Sequence, residues 1–249
     1  VTASIANVCG TDQVSVSGYT GNTNTAAGSY TARVTAISGE NASDYTLENA
    51  ENTTHGYTIS KRNLDIRTVG KEKVYDGTPL TNHEYELLNS TSAALGETIE
   101  ITYSGSQTNA GGSENTVSSV KVKKNGASEP AVYTTDNYAI NVTEGTLTVN
   151  PKPLKITAGS GSKTYDGTAL TVNSFSTPES TLSDTDYALV SGERVDSVTI
   201  SGSQTNAGTS DNIPSHAVIK RGDGDNAATV TDNYSITYIK GTLSVNSRA

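Results

Sequence analysis

Three separated blocks of this 249-residue chain occur twice, in the same order. KVYDGTPLT at 73–81 returns as KTYDGTALT at 163–171, SGSQTNAG at 104–111 returns unchanged at 201–208, and TDNYAINVTEGTLTVN at 135–150 returns as TDNYSITYIKGTLSVN at 231–246. The offsets are 90 residues for Tyr75 and Tyr165, 97 for Asn109 and Asn206, and 96 for Asn137 and Asn233, a slip of only seven. The chain therefore reads as copies of one domain, and treating it as a single globule would misassign the whole fold. Duplication also weighs against an enzyme, since an active site is rarely needed twice in nearly the same form.

The first 62 residues carry only the later landmarks. Ala27-Gly28 answers Ala110-Gly111 and Ala207-Gly208, Asp44-Tyr45 answers Asn137-Tyr138 and Asn233-Tyr234, and GYTISKRNLDI at 56–66 parallels GTLTVNPKPLKI at 145–156. A YDGT block is missing from this stretch. The expected division is an N-terminally incomplete repeat at 1–62 and full repeats at 63–152 and 153–249, in what reads as a piece of a longer protein.

Hydrophobic residues make up 33 % of the chain and charged residues 17 %, with Ser, Thr, Asn and Gly filling the difference. Disorder would go with few aromatics and no periodicity, whereas 13 Tyr recur at fixed places beside alternating Val and Ile. A net charge of −9 argues against a nucleic-acid partner, which calls for clustered Lys and Arg; Lys61-Arg62 and Lys121 to Lys124 read as linker and turn charges. Cys9 is the single cysteine, so no internal disulfide forms. No apolar run approaches a membrane span, so no membrane insertion is expected.

Periodicity points to strands. Tyr30, Ala32, Val34 and Ala36 alternate with polar residues, as do Leu64 and Ile66, then Val120 and Val122, then Tyr138, Ile140 and Val142, with Leu147 and Val149 closing the repeat. Tyr234, Ile236, Tyr238, Leu243 and Val245 take the corresponding places in the last copy. Asp76-Gly77 and Asp166-Gly167 read as turns in which Asp bonds the backbone two residues on and Gly takes positive φ. Glu84 to Gly96 is the one weakly helical stretch. The prediction is an all-β fold with at most one short helix per repeat, each repeat a small β-sandwich or β-grasp-like module. Pro151-Lys152-Pro153 joins two strands with no Gly/Ser spacer, a stiff joint that predicts an elongated rod of neighbouring modules.

KVYDGTPLT and KTYDGTALT, followed by the NAG block, the DNY block, GTLTVN and a PKPL junction, resemble the bacterial repeat domains called MBG (mostly beta, glycine-rich) and the related YDG domains. The likeness covers nearly all of 64–249, and AGSYTARVTAISGENASDYTL resembles the latter part of another such domain. Domains of this kind stand in tandem in large secreted or wall-attached proteins, fibrillar adhesins among them. The resemblance implies a monomeric, extracellular stalk on a bacterial surface, with neighbouring repeat domains as partners, no catalytic residue and no cofactor. Its motif residues are Tyr75, Asp76, Gly77, Tyr165, Asp166, Gly167, Asn137, Tyr138, Asn233 and Tyr234. The second reading, a module binding host glycan or matrix protein, would use exposed Tyr and Asn. With no Trp, one Phe and Tyr at core-like positions, the stalk is favoured.

Other constellations carry less. His55, His83 and His216 stand apart, away from any second His or Cys at metal spacing, and no nucleophile elbow or phosphate-cradling loop is present. Arg221-Gly222-Asp223 spells a tripeptide that integrins recognise, and it also reads as a hairpin turn. Lys73 with Asn150, and Lys163 with Asn246, supply the ingredients of a Lys–Asn isopeptide bond in a chain without disulfides.

Overall fold

A computed structural model describes residues 2–47, 53–128, 130–178, 187–224 and 227–248. The first stretch holds β1 (Ser15–Thr20), β2 (Gly28–Ser38) and β3 (Thr54–Ile59). The middle repeat supplies β4 (Arg62–Thr68), β5 (Lys71–Val74), β6 (Tyr85–Leu87), β7 (Glu97–Tyr103), β8 (Gly111–Glu114), β9 (Val117–Lys124), β10 (Tyr138–Thr143) and β11 (Thr146–Asn150). The last supplies β12 (Lys152–Ala158), β13 (Gly161–Thr164), β14 (Phe175–Ser176), β15 (Glu193–Ser201), β16 (Gly208–Arg221), β17 (Ala228–Thr229), β18 (Tyr234–Ile239) and β19 (Gly241–Asn246).

The fold is all-β. The helical reading of Glu84 to Gly96 is corrected: that stretch holds β6 and tight turns, with Asn89 and Ser90 both at positive φ. So short a segment has too few apolar side chains to hold a helix against a core. The short 3-10 turns Thr135–Asn137 and Thr231–Asn233 are each placed just before the repeated Tyr.

The chain forms two compact units that do not follow the repeat boundaries: residues 1–67, 86–102 and 118–143 make one, and 68–85, 103–117 and 144–249 the other. The middle repeat contributes to both. In the first unit, β1, β2 and β3 form an antiparallel sheet with Tyr30 opposite Tyr57 and Ala32 opposite His55. Ala32 is buried, but Ala36 is exposed, because register shifts around Gly18 interrupt the pairing and end the alternation early. A second sheet runs β10-β4-β6, with β10 parallel to β4, and β7 pairs with β9. Leu64, Ile66, Val122 and Tyr138 form the core of this unit, backed by Ile99, Ile101, Val120 and Ile140.

The second unit contains the sheets β5-β11-β8, β14-β12-β18 and β13-β19-β16-β15. Its core merges two repeats. Tyr75, Leu80, Leu147 and Val149 of the middle copy pack with Leu154, Ile156, Ala217, Ile219, Val230 and Tyr234 of the last. This is the physical reason that the units cut across the repeats: β11 runs through Pro151 straight into β12, so one apolar stripe serves both sides of the junction.

Within the last repeat the first chain segment pairs parallel with the final one, β12 with β18 and β13 with β19. The two pairs lie in different sheets, so both chains must pass from one sheet to the other at the same place. Gly241 permits this: a Cβ there would strike the Ala158 and Gly159 carbonyl oxygens. Asn212, with no exposed surface, staples the crossing by donating its Nδ2 to Gly159 O at 2.9 Å and Val172 O at 2.8 Å. Asn115 does the same in the middle copy, to Val69 O at 2.9 Å and Asn82 O at 3.0 Å. These side chains satisfy carbonyls that the change of sheet takes out of any ladder. Asn212→Leu, close in size but without a donor, is expected to destabilise the chain by about 2–4 kcal/mol because it strands two buried acceptors, as read from the denaturant midpoint of the second unit.

Candidate functional site

The repeated motifs converge on the joint inside the second unit. β5 pairs parallel with β11, placing Lys73 opposite Val149 and Val74 opposite Asn150. The next residue, Tyr75, donates its N–H to Asn150 O at 2.8 Å and turns its ring into the last repeat, where it is 1 % exposed. The ring packs edge-on against Tyr234, centroids 5.7 Å apart. Its hydroxyl donates to Glu193 Oε1 at 2.6 Å and accepts from Arg221 Nη2 at 3.1 Å. The Tyr234 hydroxyl donates to the other Glu193 oxygen, and Arg221 closes the ring with a 2.8 Å ion pair to Glu193, whose side chain is fully buried. Burial, reinforced by the Glu193 carboxylate, pushes the Tyr75 hydroxyl from 10.0 up to about 12 and raises that of Tyr234 as well.

The SGSQTNAG and DNY blocks form the other half of the joint. Gln107 exchanges backbone hydrogen bonds with Leu80 and donates its side-chain amide to Asn109 O at 2.7 Å, which shapes the loop. That loop presents the Ala110 N–H, which donates to Asn233 Oδ1 at 2.7 Å, while Asn233 Nδ2 donates to Asn109 Oδ1 at 3.2 Å. The first unit repeats the contact, with the Ala27 N–H donating to Asn137 Oδ1 at 2.8 Å. There too the Tyr138 hydroxyl donates to a carboxylate, Glu97, and accepts from the Ala94 N–H at 2.7 Å, as the Tyr234 hydroxyl accepts from Val190 N–H at 2.9 Å.

Asp76 and Asp166 each build the turn that carries the Tyr. Asp76 Oδ1 accepts from Thr78 N–H at 2.8 Å and from the Thr78 hydroxyl at 2.7 Å, with Gly77 at φ +78°. Lys73 Nζ clasps the turn, donating to Asp76 Oδ1 at 2.6 Å, Thr78 O at 2.7 Å and Thr78 Oγ1 at 2.8 Å. Lys163, Asp166 and Thr168 repeat all three contacts. The sequence-derived isopeptide pairs are thus placed as follows: each Lys spends its three donors on the turn, while Asn150 and Asn246 accept the N–H of Tyr75 and Tyr165 through their backbone carbonyls.

Arg221 of the Arg-Gly-Asp triplet holds Glu193 and Tyr75 and also reaches Gly77 O at 3.3 Å; Gly222 takes a turn φ of +82° and Asp223 is exposed. Tyr165, the counterpart of Tyr75, is 40 % exposed. Asp225 and Asn226 lie outside the described residues. Among the described residues no three His, Cys, Asp or Glu gather as a metal-ligand set. Glu193, Asn115 and Asn212 were not singled out by sequence reasoning, although Asn115 and Asn212 recur at the same 97-residue offset as the SGSQTNAG block, and Arg221 was read there only as part of the Arg-Gly-Asp turn. No family model, curated protein or solved structure matches the chain.

Two outcomes follow from this geometry. The Lys73 ion pair holds the Asp76 carboxyl below its ordinary 3.8, at about 2, and Lys163 lowers Asp166 in the same way. A depressed acid contributes stability above its ordinary value and loses it as pH falls through the folded one. Denaturant midpoints are therefore expected to drop between about pH 4 and pH 2, and the drop should shrink in a double Asp76→Asn, Asp166→Asn chain. Tyr75→Phe, which keeps the ring but removes a donor from buried Glu193, is expected to cost about 1–3 kcal/mol. The same change should reduce the stability lost between about pH 10 and pH 12, where wild-type Tyr75 must give up its proton.

Proposed function

We propose that the chain is a set of non-catalytic spacer repeats from a bacterial cell-surface adhesin, extracellular and wall-attached, that hold a distal binding domain away from the cell. The observation that carries this reading is where the repeated residues are used. Tyr75, Tyr138, Tyr234 and Asn233 are buried, and Asn137 and Asn233 accept the Ala27 and Ala110 N–H, so these residues are spent on fixing one repeat to another or on packing beside that joint. A residue kept for catalysis or ligand capture would be presented to solvent. These are consumed by the polypeptide itself.

The partners under this reading are neighbouring repeat domains. Tyr165, Asn206 and Ala207 lie together at the surface of the last copy, with Ser247 and Arg248 beside them. They repeat the surface that Tyr75, Asn109 and Ala110 give to residues 153–249, and a further repeat bearing Asn-Tyr and a buried carboxylate suits them. Small-angle scattering tests the reading directly. A chain of residues 1–246 followed by a second copy of 151–249 is expected to stay monomeric and to gain maximum dimension over the 249-residue chain by about the span of one repeat. A maximum dimension that barely changes would contradict the spacer role.

A further inference from the structure

The first unit is open at the place where Tyr75 sits in the second. Its cavity, about 220 Å³, is lined by Ala27, Ile59, Ser60, Ala94, Glu97 and Tyr138, with Thr25, Arg62 and Asn137 completing the wall. Matched through the sequence repeat, the main lining residues correspond to Ala110, Val149, Asn150, Val190, Glu193 and Tyr234 of the second unit. Tyr75 occupies that place there: it bonds Asn150 O and Glu193 and packs on Tyr234. A Cβ on the adjoining Gly77 would meet the Val190 side chain, which locates Val190 in the same wall. Lys124 stands in the first unit at the position of Arg221, offset by the same 97 residues.

A second feature is independent of the cavity. β11 is flanked by β8 on one side and by β5, the strand leading into Tyr75, on the other; β19 is flanked by β16 and β13 in the same way. β3 is the corresponding strand of the first unit, with Ile59 opposite Gly28 as Val149 is opposite Gly111. Over Gly56–Ile59 it pairs, among the described residues, with β2 alone. Its other edge therefore offers the main-chain groups that β11 offers to β5, and it leads directly to the cavity wall at Ile59 and Ser60. An open edge beside a shaped pocket is the arrangement that captures an added strand, with the backbone supplying affinity and the pocket supplying specificity.

We propose that this edge and cavity form a socket for an extended Lys-x-Tyr-Asp-Gly-Thr segment of polypeptide from outside these 249 residues. The segment adds parallel to β3 and inserts its tyrosine between Tyr138 and Glu97. The bound segment donates its tyrosine N–H to Ser60 O and its hydroxyl to Glu97, reproducing the contacts of Tyr75. The occupant is a free strand, because β5 and β13 already use their pairing edges within their own repeats. This inference rests on reading the chain as copies of one unit and does not depend on the spacer role.

The test adds a peptide of residues 70–81, GKEKVYDGTPLT, to the isotopically labelled full chain. Expected is saturable one-to-one binding to a monomer, with the amide resonances of Ala27, Tyr57, Ile59, Glu97 and Tyr138 responding. A peptide with Tyr→Ala should bind at least about tenfold more weakly, having lost the buried ring and the hydrogen bond to a carboxylate. To remove doubt from weak intermolecular binding, the same peptide is also fused to the N-terminus through a Gly/Ser linker, which raises its effective concentration. Absence of these shifts in the fusion overturns the proposal, as do shifts confined to other residues. A dimer without peptide, in which the same resonances respond to dilution, would assign the socket to a second copy and also overturn it. Absent or misplaced peptide shifts leave the scattering dimension of the monomer unchanged, and a dimer is recognised by its doubled scattering mass, so failure here is distinguishable from failure of the spacer reading.

Discussion

The Glu193 carboxylate is the constraint on which the second unit depends. It has no contact with solvent and is reached by the tyrosine hydroxyls of Tyr75 and Tyr234 and by the Arg221 guanidinium. A buried charge is costly unless paired and fully hydrogen-bonded, and removing one partner costs more than the pair contributes. Tyr75 belongs to one repeat and Glu193 to the next, so the carboxylate is fully satisfied only when the two are docked in a single geometry. Apolar packing by Leu147, Val149, Leu154 and Ile156 supplies the driving force, while the polar ring fixes the register.

This division of labour explains how a chain of low apolar content holds ordered domains. A unit of about 90 residues is marginal by itself, because too little of its surface can be buried. Running β11 into β12 through Pro151 lets one stripe of Leu, Val and Ile count toward both repeats. The remaining loose ends are tied by side chains of modest size: Asn115 and Asn212 at the change of sheet, Asn233 on the Ala110 N–H, and Lys73 across the Asp76 turn.

Much of this was legible in the residues and some was not. Alternation located most of the strands, and the turn chemistry of Asp76 and Gly77 follows from their side chains and backbone freedom. The parallel pairing of first and last strands was not legible, because a period of two reports which face is buried and says nothing about which strand lies alongside. The lysines of the YDGT motif were recognised as important, yet their partners are Asp and Thr within five residues, a local geometry that spacing alone did not distinguish from a cross-strand link. Glu193 was missed, and Arg221 was read only as part of the Arg-Gly-Asp turn, because an acid and a base about thirty residues apart resemble ordinary surface charges until the fold brings them together. The apparent helix at Glu84 to Gly96 shows the opposite error, a few leucines mistaken for a stripe where Asn89 and Ser90 had already set the turn.

The central claim is that the repeated residues weld adjoining repeats into one cooperative body. Native-state hydrogen exchange tests it most directly. The amides of Tyr75 and Ala110 should open with the same free energy as those of Ile156 and Ile219, because all four are protected by one joint core. If Tyr75 and Ala110 exchange through a separate, lower-energy opening while Ile156 and Ile219 stay closed, the joint is a loose contact between independent repeats and the account is wrong.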